Sequence, residues 1–311
     1  TRLGIAADNL TLKFAVFHTL FNVIGVALMT PLIGRLVAFL ERVLPEPVQD
    51  ISKPQFLNKA ALEFPDTAMK AIINECQHFF GNAYNYLAEG LGVEEADLRS
   101  DKDLDQVMTG ARLDPDLDLE ELYERRIKEL YSAIVDFAAK AERDMVPEQV
   151  ELLYHIKVAI RDIVQALKTM KHLHGNLVRY STADNADIRA EYAKLSLAIA
   201  QVLRTIDRTN HDPTQTLATL RQQRKTVKAY DIVEQGTFQT MIRENRISAR
   251  MATSLINDTS YAKLIISRLI KAARSLLEDK SYDLYRALAE TPKAADEEES
   301  SSDDNAPGTL R

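Results

Sequence analysis

The residue types able to do chemistry in this chain are few, and their spacing works against it. Six histidines are present, enough for a triad or a metal site if they converge. His172 and His174, the one pair close in sequence, are two apart, a spacing that turns side chains to different faces of a helix. A helical metal pair prefers i and i+4, and no His-Glu-x-x-His run occurs. Both are read as exposed helix-surface histidines. A glycine-rich phosphate cradle is also missing: neither GxxxxGK[ST] nor GxGxxG appears. Carboxylates are plentiful but concentrate in loops and the tail, where solvation accounts for them.

Asp258 differs, because it sits in register within an apolar helical stripe. Asn257 is beside it and Tyr261 three residues on. Three readings stay open: a buried, hydrogen-bonded polar cluster of Asn257, Asp258 and Tyr261; a metal ligand; or a stripe misread by one position. With no nucleophile and base in view, the chain is not read as an enzyme. No catalytic residue, cofactor or metal-binding residue is assigned, although a metal-binding bundle stands as a third reading of the whole.

The elements that must position these residues are helical throughout. Gly and Pro number ten each, Trp is absent, and strong helix formers dominate. Alternating β-branched segments with tight-turn dipeptides are missing, so no sheet is expected. The spacing predicts a helix from Asp66 to Gly90 with Ala68, Ile72, Cys76, Phe80, Ala83 and Leu87 on one seam. Gly92 to Asp118 reads as a long acidic loop. A second helix opens at Asp118, with Glu121 three later as in a capping box. Pro147 opens a third that runs to about Leu177. A fourth begins near Asp184. Asp212-Pro213 opens a fifth, the most polar. The sixth, from Thr237 or Ile247 to Asp279, carries Leu255, Ala262, Ile265 and Leu269.

A break near Tyr180–Asp184 divides the six into residues 55–180 and 184–290, expected as two antiparallel three-helix units. Residues 291–311 hold six acids against Lys293 and Arg311 and supply four of the seven net negative charges. Such a segment cannot bury enough apolar area to offset ordering entropy, so it is expected to be disordered. An acidic balance without a basic stripe excludes nucleic acid as the expected partner. The single cysteine, Cys76, can form no internal disulfide, which fits a reducing compartment.

One stretch stands apart. Phe14 to Gly34 is an uncharged run of 21 residues between Lys13 and Arg35. As a helix it spans about 30 Å, the thickness of a bilayer's hydrocarbon core. His18 and Asn22, four apart, share a face with Gly25. In lipid such groups are expected to face protein or water, so this helix is read as packing among helices that lie outside the chain. A lone anchor and a soluble core helix are the alternatives. A stub from Leu36 to Leu44 and a proline-broken linker at 45–54 follow, and the chain is expected to be the back end of a longer protein.

The segment AVFHTLFNVIGVALMTPLIGRL (Ala15 to Leu36), with His18, Phe21, Asn22 and Pro31, resembles a late membrane segment of the bacterial sodium/phosphate cotransporter family. KPQFLNKAALEFPDTAMKAIINECQHFF (Lys53 to Phe80) is similar to the start of the PhoU-like domain that follows the membrane domain in some members. ISARMATSLINDTSYAKLIISRLIKAA (Ile247 to Ala273) is similar to its closing helix. The resemblance implies an all-α fold of one N-terminal transmembrane helix (residues 1–44) followed by a PhoU-like pair of three-helix bundles (55–290). It implies an inner-membrane protein with residues 45–311 cytoplasmic, and a regulatory or coupling role in phosphate uptake, with the Leu36–Leu44 stub linking bundle to membrane. Two departures limit it. PhoU proteins can carry Glu-x-x-x-Asp metal motifs, but around Asp162 and Asp258 no second acid follows four later. The Gln-Ser-Ser motifs of the family's transport repeats are absent, so the chain is not expected to transport alone. The rival reading is a soluble or peripheral helical scaffold that binds partner proteins, or itself, through its bundle.

Overall fold

The computed structural model describes residues 14, 16–27, 29–30, 53–208, 213–229 and 237–277. The chain divides into two compact units, Thr1–Asp50 and Ile51–Arg311. Among the described residues every regular element is helical and no strand occurs. The expected stub at 36–44, most of the linker at 45–54, and the tail at 291–311 lie outside them.

In the first unit the described residues between 14 and 30 are helix. Their large side chains are exposed around the circumference: Phe14, Phe17, Phe21 and Val26 at 66–67%, and Leu20, Val23, Ile24 and Met29 at half or more. Among the described residues no helix is long and apolar enough to cross a membrane. Seventeen positions at about 1.5 Å each fall short of the roughly 30 Å a span needs, and residues 31–34 of the apolar run lie outside the description.

The second unit contains α1 (Pro65–Gly90), α2 (Glu95–Arg99), α3 (Leu104–Thr109), α4 (Leu119–Tyr123), α5 (Glu129–Ala141), α6 (Pro147–Ser181), α7 (Ala186–Asp207), α8 (Pro213–Ala229), α9 (Thr237–Arg243) and α10 (Ala249–Leu277). Each long helix starts where local chemistry favours it. Pro65, Pro147 and Pro213 occupy first-turn positions, where a missing N–H costs nothing. Asp118 caps α4 by accepting from the Glu120 and Glu121 amides, and Asn185 caps α7 through the Ile188 amide at 3.0 Å. A π-helical turn, Glu124–Lys128, joins α4 to α5.

The seams expected from the sequence are the buried faces. Tyr123, Ile127, Leu130, Ile134, Phe137 and Ala141, the three/four stripe expected for the second helix, are all buried; of the stripe expected for the fourth, Ile188, Tyr192, Leu195, Ile199 and Val202 are buried and Ile206 is half-buried. On α1 Phe80 of the expected seam is half-buried, while burial takes in Met69, Ile73, Phe79 and Tyr86 beyond it. Asp66 pairs with Gln149 and Gly90 with His174, so α1 and α6 run parallel, and α5 returns between them. Contacts from Asp162 to Arg268 and from Tyr180 to Ser254 make α6 and α10 an antiparallel pair. That pair is the centre of the unit, and one continuous core reaches from α1 to α10.

Two expectations need correction. Gly92 to Asp118 is not simply a loop, because α2 and α3 fold within it. Of the two starts expected for the sixth helix, Ile247 lies within two residues of the observed Ala249, and Thr237 instead opens the separate α9: the chain turns between α9 and α10, with Asn245 in the left-handed region at φ 53°, a conformation asparagine tolerates better than most residues.

Candidate functional site

The α6–α10 interface holds two buried carboxylates, one near each end. Asp258, 1% exposed, faces α7 across the core. Tyr192 Oη donates to its Oδ2 at 2.5 Å. Burial pushes the Asp258 carboxyl above the usual carboxylate range, while hydrogen bonds from Tyr192 and Asn176 pull it partly back. The tyrosine hydroxyl is pushed far up, by burial first and by its bond to Asp258 second. A carboxyl held toward its neutral form beside a phenol that does not ionise makes a cohesive polar link, and it has no nucleophile to activate.

The buried cluster expected at Asn257, Asp258 and Tyr261 has different membership. Asn257 is exposed; one position along a helix is about 100° around it, which carries its side chain out of the seam. Tyr261 is half-buried and stacks on exposed His172, ring centroids 5.7 Å apart. The partners of Asp258 come instead from α6 and α7, a tertiary fact with no local signature. Asn257 and Tyr261 do line, with Asp258, Arg250, Asn176 and His172, a shallow cleft of about 480 Å³ between α6 and α10.

Asp162, fully buried, is balanced by cations. Arg268 Nη1 donates to Oδ1 at 2.6 Å. Lys271 Nζ lies 3.3 Å from Oδ2, within ion-pair reach, but Oδ2 receives no hydrogen bond of good geometry. That contact is electrostatic. Each of the two aspartates is engaged by protein partners. Among the described residues no three of His, Cys, Asp and Glu converge as ligands.

His174 corrects the surface reading: it is buried. Its Nδ1 lies 2.9 Å from the Gly90 carbonyl, which can only accept, so Nδ1 carries the proton. Cys76 is buried beside Glu75, and burial first, then that charge, pushes its thiol far up. It is no nucleophile at neutral pH.

Two further anchors gave no periodic signal. Glu75, fully buried, accepts at Oε2 from the Gln55 and Phe56 amides at 2.8 and 2.7 Å, and its Oε1 lies 2.9 Å from His78 Nδ1. It ties the incoming chain to α1. Arg204, on α7, donates to the Leu98, Lys102 and Asp97 carbonyls at 2.9, 2.7 and 3.2 Å. A cation at the C-terminus of α2 also meets the negative end of that helix. Arg99–Asp207 and Arg208–Asp101 pairs reinforce the same junction.

In the first unit, His18 and Asn22 share a face as the spacing requires, Asn22 Nδ2 lying 3.1 Å from His18 Nε2. Gly25 has open space where a Cβ would stand. Thr30 Oγ1 donates to the Val26 carbonyl at 2.7 Å.

Fold and site together describe an all-α protein whose buried polar groups fasten helices to one another. No family model, curated protein or solved structure matches the chain.

Proposed function

We propose that the chain is the C-terminal part of a membrane protein like the bacterial sodium/phosphate cotransporters. In this reading the apolar run is the final membrane helix, the second unit is a PhoU-like regulatory domain on the cytoplasmic side of the inner membrane, and transport itself needs upstream helices. The observation that carries it is the first unit's helix, uncharged from Phe14 onward and with Phe14, Phe17, Leu20, Phe21, Val23, Ile24, Val26 and Met29 exposed on every side. A helix that carries large apolar side chains around its circumference, broken by one short polar face, is stable only inside a large core or a bilayer. Each such side chain left in water forgoes about 1.5–3 kcal/mol. The hydrogen-bonded His18–Asn22 face, with Gly25 on the same side, suits close approach by neighbouring helices.

Carbonate extraction of membranes from cells expressing residues 1–311 is expected to leave the protein in the pellet. Replacing Leu20 and Ile24 by Glu should release it. In the full-length protein, deleting residues 55–311 should alter how phosphate uptake responds to external phosphate. A 1–311 chain that stays soluble and monomeric without detergent would instead support the helical scaffold, and uptake that is unchanged by the deletion would remove the regulatory role.

A further inference from the structure

The exposed face shared by α6 and α10 carries one sign of charge. Between Arg161 and Arg179 on α6, and between Arg250 and Lys271 on α10, the only acids are Asp162 and Asp258, and both are buried. Arg161, Arg268 and Lys271 converge on Asp162, at 3.9, 2.6 and 3.3 Å. One carboxylate cannot balance three cations, and these keep 59%, 35% and 53% of their side chains in solvent. Lys168 and Arg179 lie over the Tyr123 and Tyr180 rings, and Arg250 borders the cleft beside Asp258. Among the described residues none of these last three forms an ion pair. Glu120, which reaches the edge of the face from α4, is taken by Lys171. Two helices distant in the chain each supply half of this stripe, so neither shows a basic run by itself.

A one-signed face on a chain of net charge −7 calls for an anionic partner. The chain carries one of its own: residues 296–304 hold six acids, three serines and no cation. α10 ends at Leu277, and the 19 residues from there to Asp296 can reach roughly 60 Å at up to about 3.3 Å each. From Leu277 back to Arg250 along the helix is only about 40 Å. A tether of that length holds the acids near the face at an effective concentration of roughly millimolar, so exposed pairs that are weak one at a time act together. Polarity matches as well as sign. Leu264, 36% exposed, is the one large aliphatic side chain this face presents among the described residues, where a membrane-docking face would offer several Trp, Phe or Leu. The segment 296–304 has no apolar side chain either.

We infer that residues 296–304 dock on the α6–α10 face of the same chain. The acids from Asp296 to Glu299 meet the Arg161, Arg268 and Lys271 end, nearer the terminus of α10, and Asp303 and Asp304 lie toward Arg250. The inference uses the second unit alone and does not depend on the membrane reading.

The test places a nitroxide on Ser301→Cys in the full chain, held in phosphatidylcholine nanodiscs and carrying ¹³C-labelled Leu and Val methyls. Cys76 is buried and does not compete for the label. At about 0.01 M ionic strength, where the Debye length is roughly 30 Å, the Leu264 methyl signals should be at least about twofold weaker than those of exposed Val135 on α5; at about 1 M, where it is roughly 3 Å, the two should be equal. Lys168→Glu, Arg179→Glu and Arg250→Glu together, which leave the Asp162 cluster intact, should also return Leu264 to the Val135 level. Equal signals in the parent at low salt would overturn the inference. So would attenuation that appears when nitroxide and ¹³C methyls sit on different chains, which assigns the face to a second copy. Leu264 attenuated only by a lipid-borne nitroxide, in phosphatidylserine nanodiscs, would overturn it too and assign the face to an anionic membrane surface.

Discussion

Arg204→Met tests whether α2 and α3 are held in place from outside or fold on their own account. Arg204 is 9% exposed, and its guanidinium supplies three hydrogen bonds to backbone carbonyls that close the end of α2. Methionine keeps much of the stem and removes every donor. Bonds from a charged donor contribute about 1.5–3 kcal/mol each when both ends stay dry. Here the Lys102 and Asp97 carbonyls can regain water, so about 1 kcal/mol is lost for each. The Leu98 carbonyl lies under the replaced side chain and loses about 2 kcal/mol, the cost of a buried orphan. Relief of the buried cation's desolvation returns about 1 kcal/mol. The net loss is about 3 kcal/mol, or roughly a hundredfold in the unfolding constant. Urea melts read that total, and amide hydrogen exchange locates it. Protection should fall most between Leu98 and Thr109, because Arg99–Asp207 and Arg208–Asp101 are exposed pairs that cannot replace a buried clamp. A midpoint within about 0.5 kcal/mol of the parent, or a loss of protection spread evenly over all helices, would refute the reasoning.

Three other perturbations have definite signs. Asp258 has its folded-state pKa raised by burial, so its contribution is fully present below its unfolded value and is lost as pH rises through the folded one. Asp258→Asn should therefore match the parent in melting temperature near pH 3.5, exceed it at pH 7, and flatten the pH dependence between; a parent that gains stability relative to the variant as pH rises would contradict this. Gly92 sits at φ +72°, and a Cβ there would stand 2.7–2.8 Å from the Arg112 carbonyl group. Gly92→Ala should cost about 2–4 kcal/mol in denaturant titration, from left-handed strain plus a clash with backbone that cannot step aside. Glu75→Gln keeps the shape but turns one oxygen into a donor and removes the charge from the Gln55 and Phe56 amides; exchange at those two amides should rise at least tenfold while the α6 amides stay unchanged.

Helix positions were legible in the sequence wherever burial is periodic. The stripe of α5 and the start of α6 at Pro147 follow from spacing and first-turn chemistry, and both are as expected. Asp258 was visible because a charged residue interrupted an apolar seam. Its partners were not, since Tyr192 and Asn176 lie 66 and 82 positions away and only packing brings them near. Glu75 and Arg204 left no trace for the same reason: each is an ordinary helix residue whose importance comes from backbone groups of a distant segment. α2 and α3 are too short to show a period, and Arg204 and its neighbours help hold them. His174 reads like His172 in sequence, but a rotation of about 200° between them puts one in the core and the other in water.

The central pair of α6 and α10 has a consequence for how the protein is made. The two helices meet through contacts that bridge 74 to 106 residues of chain. At about 5–20 residues per second of synthesis, α6 waits roughly 5–20 s before its partner exists. During that interval Asp162, Asn176 and Tyr180 have no α10 to lie against. A ribosome stalled near residue 230 would display that face, and it is there that a chaperone, or a second nascent copy, would find its first hold.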